Sequence, residues 1–554
     1  MAKQCDDESL AIELTPQYKK EDITMDFIGK QPGKKTLTSN GINTLRGHVR
    51  KNPHKIAVRN DKVSLTYAQL WQRASQLANA MLDCGIGKGD PVITYMPNCL
   101  QYAEVMIAAQ MIGSPFTLGN YRLTGDEIAY QINDTHVAIV FVQTDLLAAI
   151  LKIKGKIKSV RRIVVIGDSS TGGMQNYEDF LKHGSSTEPS VEVLPEDLHV
   201  MFYTSGTTGK PKGAARTMYC DYSMAVSTCL ELGINNNDTF LVVAPMYGAA
   251  TIGYAISTLM AGGTLFIAPA FVPEETLKLI DAYHPTFIFM VPIMYDWMLS
   301  LPKETLAKYD LSSIRLVVAC GAPMHTSIFQ KMVDHFKTTE IYNMLGASEL
   351  GFITRISADE WLKGGKANSI GKAIFDMELK IVSKDGKEVE PGEVGLLYCR
   401  SSAIFDGYWY NEAGTQEAFL DHEWATVGDM ARMDNDGYYY LVDRAKDMIV
   451  SGGTNIYPAE VEGVILQMEG IADVGVIGVP DEKWGEQVKA VVVLKPSYSV
   501  REDEIISFCK ERLAGFKVPK SVDYVDSIPR SLIGKMLKKD LRKKYWEGRD
   551  VLIS

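Results

Sequence analysis

The chain reads as an α/β protein: a large N-terminal region of mainly parallel sheets flanked by helices, a β-rich subdomain, and a small α+β region at the C-terminal end. Three observations predict this. From Leu45 to Ala319, short apolar runs alternate with helical stretches, the pattern of βαβ units feeding a parallel sheet. After about residue 375 the texture turns to strands and tight turns. The 554 residues also exceed what one hydrophobic core sustains, since cores stop growing at roughly 250–300 residues.

In chain order, residues 1–35 alternate charge and polarity and read as a loosely packed polar leader. Ile56–Val63 then reads as a strand, Tyr67–Cys84 as a helix and Pro91–Tyr95 as a strand. Gln101–Ile112 reads as a helix, Ser114–Leu118 as a strand, Glu127–Asp134 as a helix and Val137–Val142 as a strand. The alternation recurs through Phe240–Ala244, Thr264–Ile267, Phe287–Val291 and Leu316–Ala319. In the β-rich stretch, Met377–Ser383 and Val394–Cys399 flank the turn Lys384-Asp385-Gly386, and the turn Asp434–Gly437 precedes the strand Tyr438–Val442. Beyond Asp447 come a helix at Ala459–Met468, strands near Val474–Val479 and Val488–Leu494, and a helix at Glu502–Leu513. That stretch is long enough for a small domain, with Asp443–Asp447 as its boundary.

Composition excludes several classes. Hydrophobic residues at 46% and charged residues at 23% are ordinary for a globular protein. A formal net charge of −10 argues against nucleic acid as a bulk partner, which leaves the run Lys535–Lys544 as a local basic patch. The 8 cysteines include no C-x-x-C pair and the 9 histidines no H-x-x-x-H pair, so neither a disulfide framework nor a zinc site is expected. Met1–Asp26 is polar and acidic without an apolar signal core, and no run approaches the ~20 apolar residues of a membrane helix. The expectation is a reduced, cytoplasmic protein with no transmembrane segment. Its oligomeric state is open.

The chemistry begins at Thr204-Ser205-Gly206-Thr207-Thr208-Gly209-Lys210-Pro211-Lys212-Gly213, which follows the apolar run Leu198–Tyr203. Glycines let backbone amides approach an anion, hydroxyls add donors, and Lys210 and Lys212 add positive charge. Such a loop suits a nucleotide polyphosphate. It is not the P-loop of NTPases, because the glycine required five residues after Gly206 is Pro211. Pro211 also stops a helix from starting at the lysine.

Further motifs follow in a fixed order: Gly321-Ala322-Pro323, then Asn343-Met344-Leu345-Gly346-Ala347-Ser348-Glu349, Trp424-Ala425-Thr426-Val427-Gly428-Asp429 and Asp443-Arg444-Ala445-Lys446-Asp447. They are succeeded by Ser451–Glu460, with its Gly452-Gly453 pair, and by Pro529-Arg530-Ser531-Leu532-Ile533-Gly534-Lys535. With the loop, this set resembles the adenylate-forming superfamily of acyl-CoA synthetases, luciferases and peptide-synthetase adenylation domains, from about Thr44 to Lys539. The resemblance implies an N-terminal AMP-binding domain over residues 36–443, with its β-rich subdomain at about 375–443. It further implies a hinge at 444–447 with Lys446 as pivot, and a mobile C-terminal domain over 448–554.

The same resemblance implies an ATP-dependent acid–CoA ligase using ATP, Mg²⁺ and coenzyme A on a small-molecule carboxylic acid. Thr204, Lys535 and Glu349 would be catalytic, with Glu349 and Thr204 also serving the Mg²⁺. Nucleotide contacts would come from residues 204–210 and Lys212, from Gly321, Ala322 and Pro323, from the Asn343–Ser348 segment, and from Asp429, Arg444 and Lys535. Leu345 stands where the family carries an aromatic residue against adenine, so part of that contact is expected to be apolar. Ser451, Gly452 and Gly453 would line the pantetheine path. Pro245-Met246-Tyr247-Gly248-Ala249-Ala250-Thr251 falls where the family places the acyl pocket, so Tyr247, Gly248 and Thr251, with Gly321 and Gly346, would contact the acid. Tyr247 followed by small residues suggests an apolar slot with one hydroxyl; the alternative is a core tyrosine with its hydroxyl satisfied. Met290, Met294 and Trp297 are expected in the core, and Lys538, Lys539, Arg542, Lys543 and Lys544 as a solvated basic tail. An adenylating enzyme that loads a carrier protein, a luciferase-type oxygenase and a non-catalytic nucleotide-binding relative share the nucleotide motifs and stay open.

Overall fold

A computed structural model describes residues 41–547, apart from 124, 168–173, 205–210, 339, 445–446, 452–453, 482 and 531–535. The leader 1–35 lies outside the described residues. The chain is an α/β protein that divides into two compact units: 1–225 with 245–270 and 405–415, and 226–244 with 271–404 and 416–554.

In the first unit an eight-stranded sheet runs in the order Gly407–Tyr408, Lys212–Thr217, Leu198–Thr204, Phe116–Gly119, Val92–Tyr95, Ile139–Gln143, Arg162–Ile166, Gln175–Asn176. From Leu198–Thr204 onward every pairing is parallel. Val92–Tyr95 and Phe116–Gly119 are buried along their whole length, as strands covered on both faces must be, which is why they read as continuous apolar runs. The helix Tyr67–Asp83 starts where Thr66 and Gln69 form a reciprocal capping box. The helix Leu100–Met111 is apolar around most of its circumference and buried almost throughout. The expected strand Ile56–Val63 is two strands, Ile56–Arg59 and Ser64–Thr66, paired antiparallel. The break comes at Asn60, whose side chain accepts the amides of Lys62 and Val63 and closes a turn.

The second unit contains three groups of strands. Thr239–Val242, Phe287–Met290, Leu316–Cys320 and Glu340–Ala347 pair in parallel, and Gly351–Ser357 returns antiparallel to the last of them. An antiparallel sheet is built on Gly395–Arg400, with Asp429–Met433 and Tyr439–Arg444 as one of its hairpins. The third is a five-stranded sheet in which the long hairpin Ile471–Asp481 and Gly485–Leu494 is joined by Ile449–Ser451, Thr454–Ile456 and the parallel strand Ser521–Tyr524. Its own core gathers Ile456, Val461, Ile465, Val474, Val492 and Ile505. The helices expected at Ala459–Met468 and Glu502–Leu513 are Pro458–Ile465 and Glu502–Lys510.

Met290 and Met294 are buried as expected, but Trp297 is not a core residue: it is 55% exposed. Its ring stacks on Phe271 with centroids 6.5 Å apart. No helix among the described residues is long and apolar enough to cross a membrane.

Candidate active site

In the first unit, Thr204 ends one strand and lies directly opposite Lys212, which begins the next. Ser205, Gly206, Thr207, Thr208, Gly209 and Lys210 lie outside the described residues. The base of this hairpin is heavily braced. The Tyr203 hydroxyl donates to Asp134 Oδ2 at 2.5 Å and sits 3.1 Å from Thr135 Oγ1. Burial, and then Asp134, push that phenol far above its ordinary range, so it stays a donor. The Trp409 indole donates to the Asp134 carbonyl at 3.1 Å, and the Trp409 amide donates to the Gly213 carbonyl at 2.7 Å. Lys212 Nζ lies 5.0 Å from the centre of the Tyr408 ring, a cation–π contact.

Beneath the hairpin, Asp221 receives Arg216 Nε at 2.6 Å, with His199 Nδ1 at 2.8 Å, all three side chains being buried. Burial alone would raise the Asp221 carboxyl. Arg216 and His199 outweigh it and hold the pKa below the ordinary value. These supports carry no recognisable sequence motif, because Arg216, Asp221 and His199 stand in the sequence as isolated polar residues whose pairing only the fold creates.

The Pro245–Thr251 segment is in the same unit. The Met246 amide donates to Asn98 Oδ1 at 2.8 Å, and Gly248 caps the helix Ala249–Met260, in whose first turn Thr251 is buried. Tyr247 is only 9% exposed and meets Tyr121 edge to face at 5.6 Å. Its hydroxyl has no hydrogen-bond partner among the described residues. Burial raises its pKa, so it is a neutral donor. The alternative of a core tyrosine with a satisfied hydroxyl is therefore corrected.

In the second unit, Gly321 follows the buried strand Leu316–Cys320 with φ +89°, a conformation open to glycine. Ala322 and Pro323 continue the turn. Burial pushes the neighbouring Cys320 thiol up to about 12, which removes it as a nucleophile. Asn343, Met344, Leu345, Gly346 and Ala347 belong to the strand Glu340–Ala347, and Ser348 and Glu349 open the turn after it. Glu349 is buried, as is Asn343, whose Oδ1 has no partner among the described residues. A Cβ on Gly346 would come within 2.9 Å of the Gly351 carbonyl, so the turn that aims Ser348 and Glu349 needs glycine there. Asp429 is buried at the start of its strand, opposite the Arg444 backbone.

Ser451 pairs with Thr454; Gly452 and Gly453 between them lie outside the described residues, as do Lys446 and Lys535. The ends of the Lys535 segment are described: Arg530 bridges Met536, and the Leu537 amide donates to the Pro529 carbonyl at 2.9 Å. One expectation fails here. Lys538 and Arg542 are not part of a solvated tail: Lys538 Nζ pairs with Glu462 at 2.9 Å, and Arg542 donates to the Asp447 carbonyl at 2.9 Å. Lys539, Lys543 and Lys544 are exposed as expected.

Among the described residues no group of three or more His, Cys, Asp and Glu side chains is arranged to hold a metal. The single buried carboxylate of Glu349 is still a fit for Mg²⁺, which binds through one or two carboxylates with substrate phosphates completing its shell.

The AMP-binding enzyme profile matches residues 45–409, and that of the AMP-binding enzyme C-terminal domain matches residues 460–535. The chain belongs to the AMP-binding enzyme family. This AMP-binding enzyme is 33% identical to a feruloyl-CoA synthase of Amycolatopsis over 498 residues, spanning 90% of this chain and 97% of that one. It is 32% identical to the long-chain-fatty-acid–CoA ligase FadD13 of Mycobacterium tuberculosis, spanning 87% and 93%. The solved anthranilate CoA ligase AuaEII, in complex with anthranoyl-AMP, superposes with a TM-score of 0.82 at 26% identity, covering 92% of this chain and 97% of that one. The AMP-binding enzyme described here is an acid–thiol ligase of the AMP-forming class.

Proposed function

We propose that this ligase activates a hydrophobic aliphatic, alicyclic or aryl carboxylic acid and transfers it to coenzyme A in the cytoplasm. The observation that carries the choice of acid is Tyr247, a buried hydroxyl without a protein partner among the described residues. An unpaired buried donor costs about 1–3 kcal/mol, a cost removed when a substrate supplies the acceptor. Asn343 Oδ1 is the corresponding unsatisfied acceptor on the nucleotide side, and it suits an amine of a purine.

A carboxylate is a poor electrophile because its leaving group would be oxide. Its oxygen attacks the α-phosphorus of ATP, the bond to pyrophosphate breaks, and the acyl-adenylate forms. The CoA sulfur then attacks the acyl carbon, and AMP leaves with the bonding electrons while the thiol proton is lost. Little covalent chemistry falls to the protein, which aligns the reacting atoms and stabilises the charge developing on phosphate. Residues 204–210 and Lys212 grip the phosphates, with Ser348 beside them. Glu349, with Thr204, would hold Mg²⁺, which would supply neutralisation of phosphate charge. Asp429 accepts the ribose hydroxyls, Arg444 reaches the ribose, and Gly321, Ala322, Pro323 and Met344 to Ala347 flank the base. Lys535 bridges the carboxylate and the α-phosphate. Tyr247, Gly248 and Thr251, with Gly321 and Gly346, shape the acyl slot.

Two reactions at one site call for a movable domain. Residues 448–554 form that domain, 444–447 are its hinge and Lys446 is the pivot; Lys535 serves the first step, and the Ser451-Gly452-Gly453 face serves the second. The test is a panel of carboxylic acids assayed for pyrophosphate and AMP release with and without CoA. An apolar acid that drives pyrophosphate exchange without CoA, and with CoA gives pyrophosphate, AMP and a thioester in equal amounts, is the expected result. No release with any acid, or acyl transfer only to a carrier protein, would overturn the reading.

A further inference from the structure

The residues flanking Lys535 are tied down by a charge pair that takes no direct part in the chemistry. Lys538 opens the helix Lys538–Trp546, directly after the closed base Arg530–Met536 and Leu537–Pro529. Its ammonium lies 2.9 Å from Glu462 Oε1, and the two side chains are only 10% and 14% exposed. Glu462 is itself fixed, because the same oxygen accepts the Val476 amide at 2.7 Å. Four residues on, and so on the same face of the helix, Arg542 donates to the carbonyl of Asp447 at 2.9 Å. On the other side of the proposed hinge, Asp443 Oδ2 accepts the Ala459 amide at 2.9 Å, at the start of the helix that carries Glu462.

The helix Lys538–Trp546 does not need this pair in order to pack. Leu541 is buried, and a Cβ on Gly475 would stand 2.7 Å from Leu541 Cδ1 and 3.0 Å from Met536 Sδ, so the glycine leaves room for both. A buried ion pair adds little net stability, because desolvation offsets the Coulomb attraction, and apolar replacements are often neutral. What it fixes is geometry: Lys538 must sit where Glu462 is held.

We infer that Glu462 and Lys538 are positioning residues for adenylation, a latch that fixes the Lys535 segment on its domain while Arg542 ties the same helix to the hinge. The inference rests on the adenylating role of Lys535 proposed above. The latch acts on the half-reaction that uses Lys535. Thioester formation, which uses the Ser451-Gly452-Gly453 face of the same domain, does not depend on it.

The test uses the full-length double variant Glu462→Leu/Lys538→Met, with Lys538→Arg as the conservative control. Two readouts are compared with the wild type: acid-dependent pyrophosphate exchange, and thioester formation from supplied acyl-adenylate and CoA. The kcat for exchange is expected to fall about 10- to 100-fold with KM for ATP and acid little changed, since a misplacement of about 1 Å costs on that order. Thioester formation stays within about 3-fold, and Lys538→Arg recovers most of the exchange, because the charge pair is retained. Hydrogen exchange without substrates is the second measurement: the Leu537 amide loses protection in the double variant, while amides of the hairpin Ile471–Leu494 other than Val476, whose acceptor Glu462 is removed, keep theirs. Equal loss of both half-reactions would mean a structural role only, and unchanged Leu537 protection would overturn the latch. If wild-type protein adenylates no acid at all, the proposed function falls, and the latch still stands or falls on the Leu537 amide.

Discussion

The strands flanking residues 205–210 and the residues flanking 531–535 bound the two segments expected to handle phosphate, and they are held by different means. The first pair belongs to an eight-stranded sheet and rests on buried supports: Arg216 and His199 on Asp221, Tyr203 on Asp134, and Trp409 on the Asp134 and Gly213 carbonyls. Among the described residues the second pair is closed by the Arg530–Met536 bridge and the Leu537–Pro529 backbone bond, helped by the Lys538–Glu462 pair and by the Arg530–Asp473 pair at 2.7 Å, whose side chains are 41% and 27% exposed. A loop proposed to grip the phosphates of ATP, and then the adenylate, calls for a stiff base. A lysine proposed to serve only the first half-reaction is better carried on a segment anchored within its own domain.

Breaking the anchors one at a time sharpens this contrast. The largest effect is expected from Arg216→Met, which leaves Asp221 charged in the interior; losing one partner of a buried pair costs about 3–5 kcal/mol. Chemical denaturation checks it, and a loss under about 1 kcal/mol would remove the stiff-base argument. Tyr203→Phe leaves Asp134 without its phenolic donor and is expected to cost about 1.5–3 kcal/mol, the range for hydrogen bonds to charged groups, read from the same denaturation curves. Arg530→Ala removes a half-exposed pair and should cost under about 1 kcal/mol. A larger loss would show that the second segment is as stiffly held as the first.

The hairpin that carries Asp429 is the intermediate case and gives the smallest effect, one visible only in acid. At its turn, burial pushes the Asp434 carboxyl up, but Lys366 Nζ at 2.9 Å, the Tyr438 amide at 2.9 Å and the Tyr440 hydroxyl at 3.0 Å outweigh it and bring the pKa down to about 2. A folded-state pKa below the unfolded value of about 3.9 contributes stability that is full above that pH and is lost as pH falls toward 2. Asp434→Asn is therefore expected to flatten the acid limb of the stability curve between about pH 4 and pH 2. Parallel acid limbs for variant and wild type would contradict the assignment.

Much of the architecture was legible because both-face burial writes itself into the chain as runs such as Val92–Tyr95, Phe287–Met290 and Leu316–Cys320. The order of the motifs was equally plain. The supports were not. Gly407–Tyr408 pairs with the strand Lys212–Thr217 through two residues, too short for any periodicity. Arg216, Asp221 and His199 read as ordinary polar residues, since a sequence shows charge but not the partner that allows its burial. Lys538 and Arg542 were read as solvated for the same reason, their partners Glu462 and Asp447 lying far back in the chain. Trp297 reads in sequence as a core residue rather than part of the acyl pocket, yet one face of its helix stays open. The hydroxyl of Tyr247 reads in sequence as the polar feature of an apolar slot, but its lack of a protein partner among the described residues comes from the packing around it, which no sequence pattern records.

The central claim is that one site runs two reactions with a different part of the C-terminal domain serving each, and the half-reactions of Lys535→Ala test it most directly. Acid-dependent pyrophosphate exchange should fall by at least about 100-fold, the scale of losing one charge-stabilising donor. Thioester formation from supplied acyl-adenylate and CoA should stay within about 3-fold of wild type. Equal loss of both, or exchange that survives, would contradict the account.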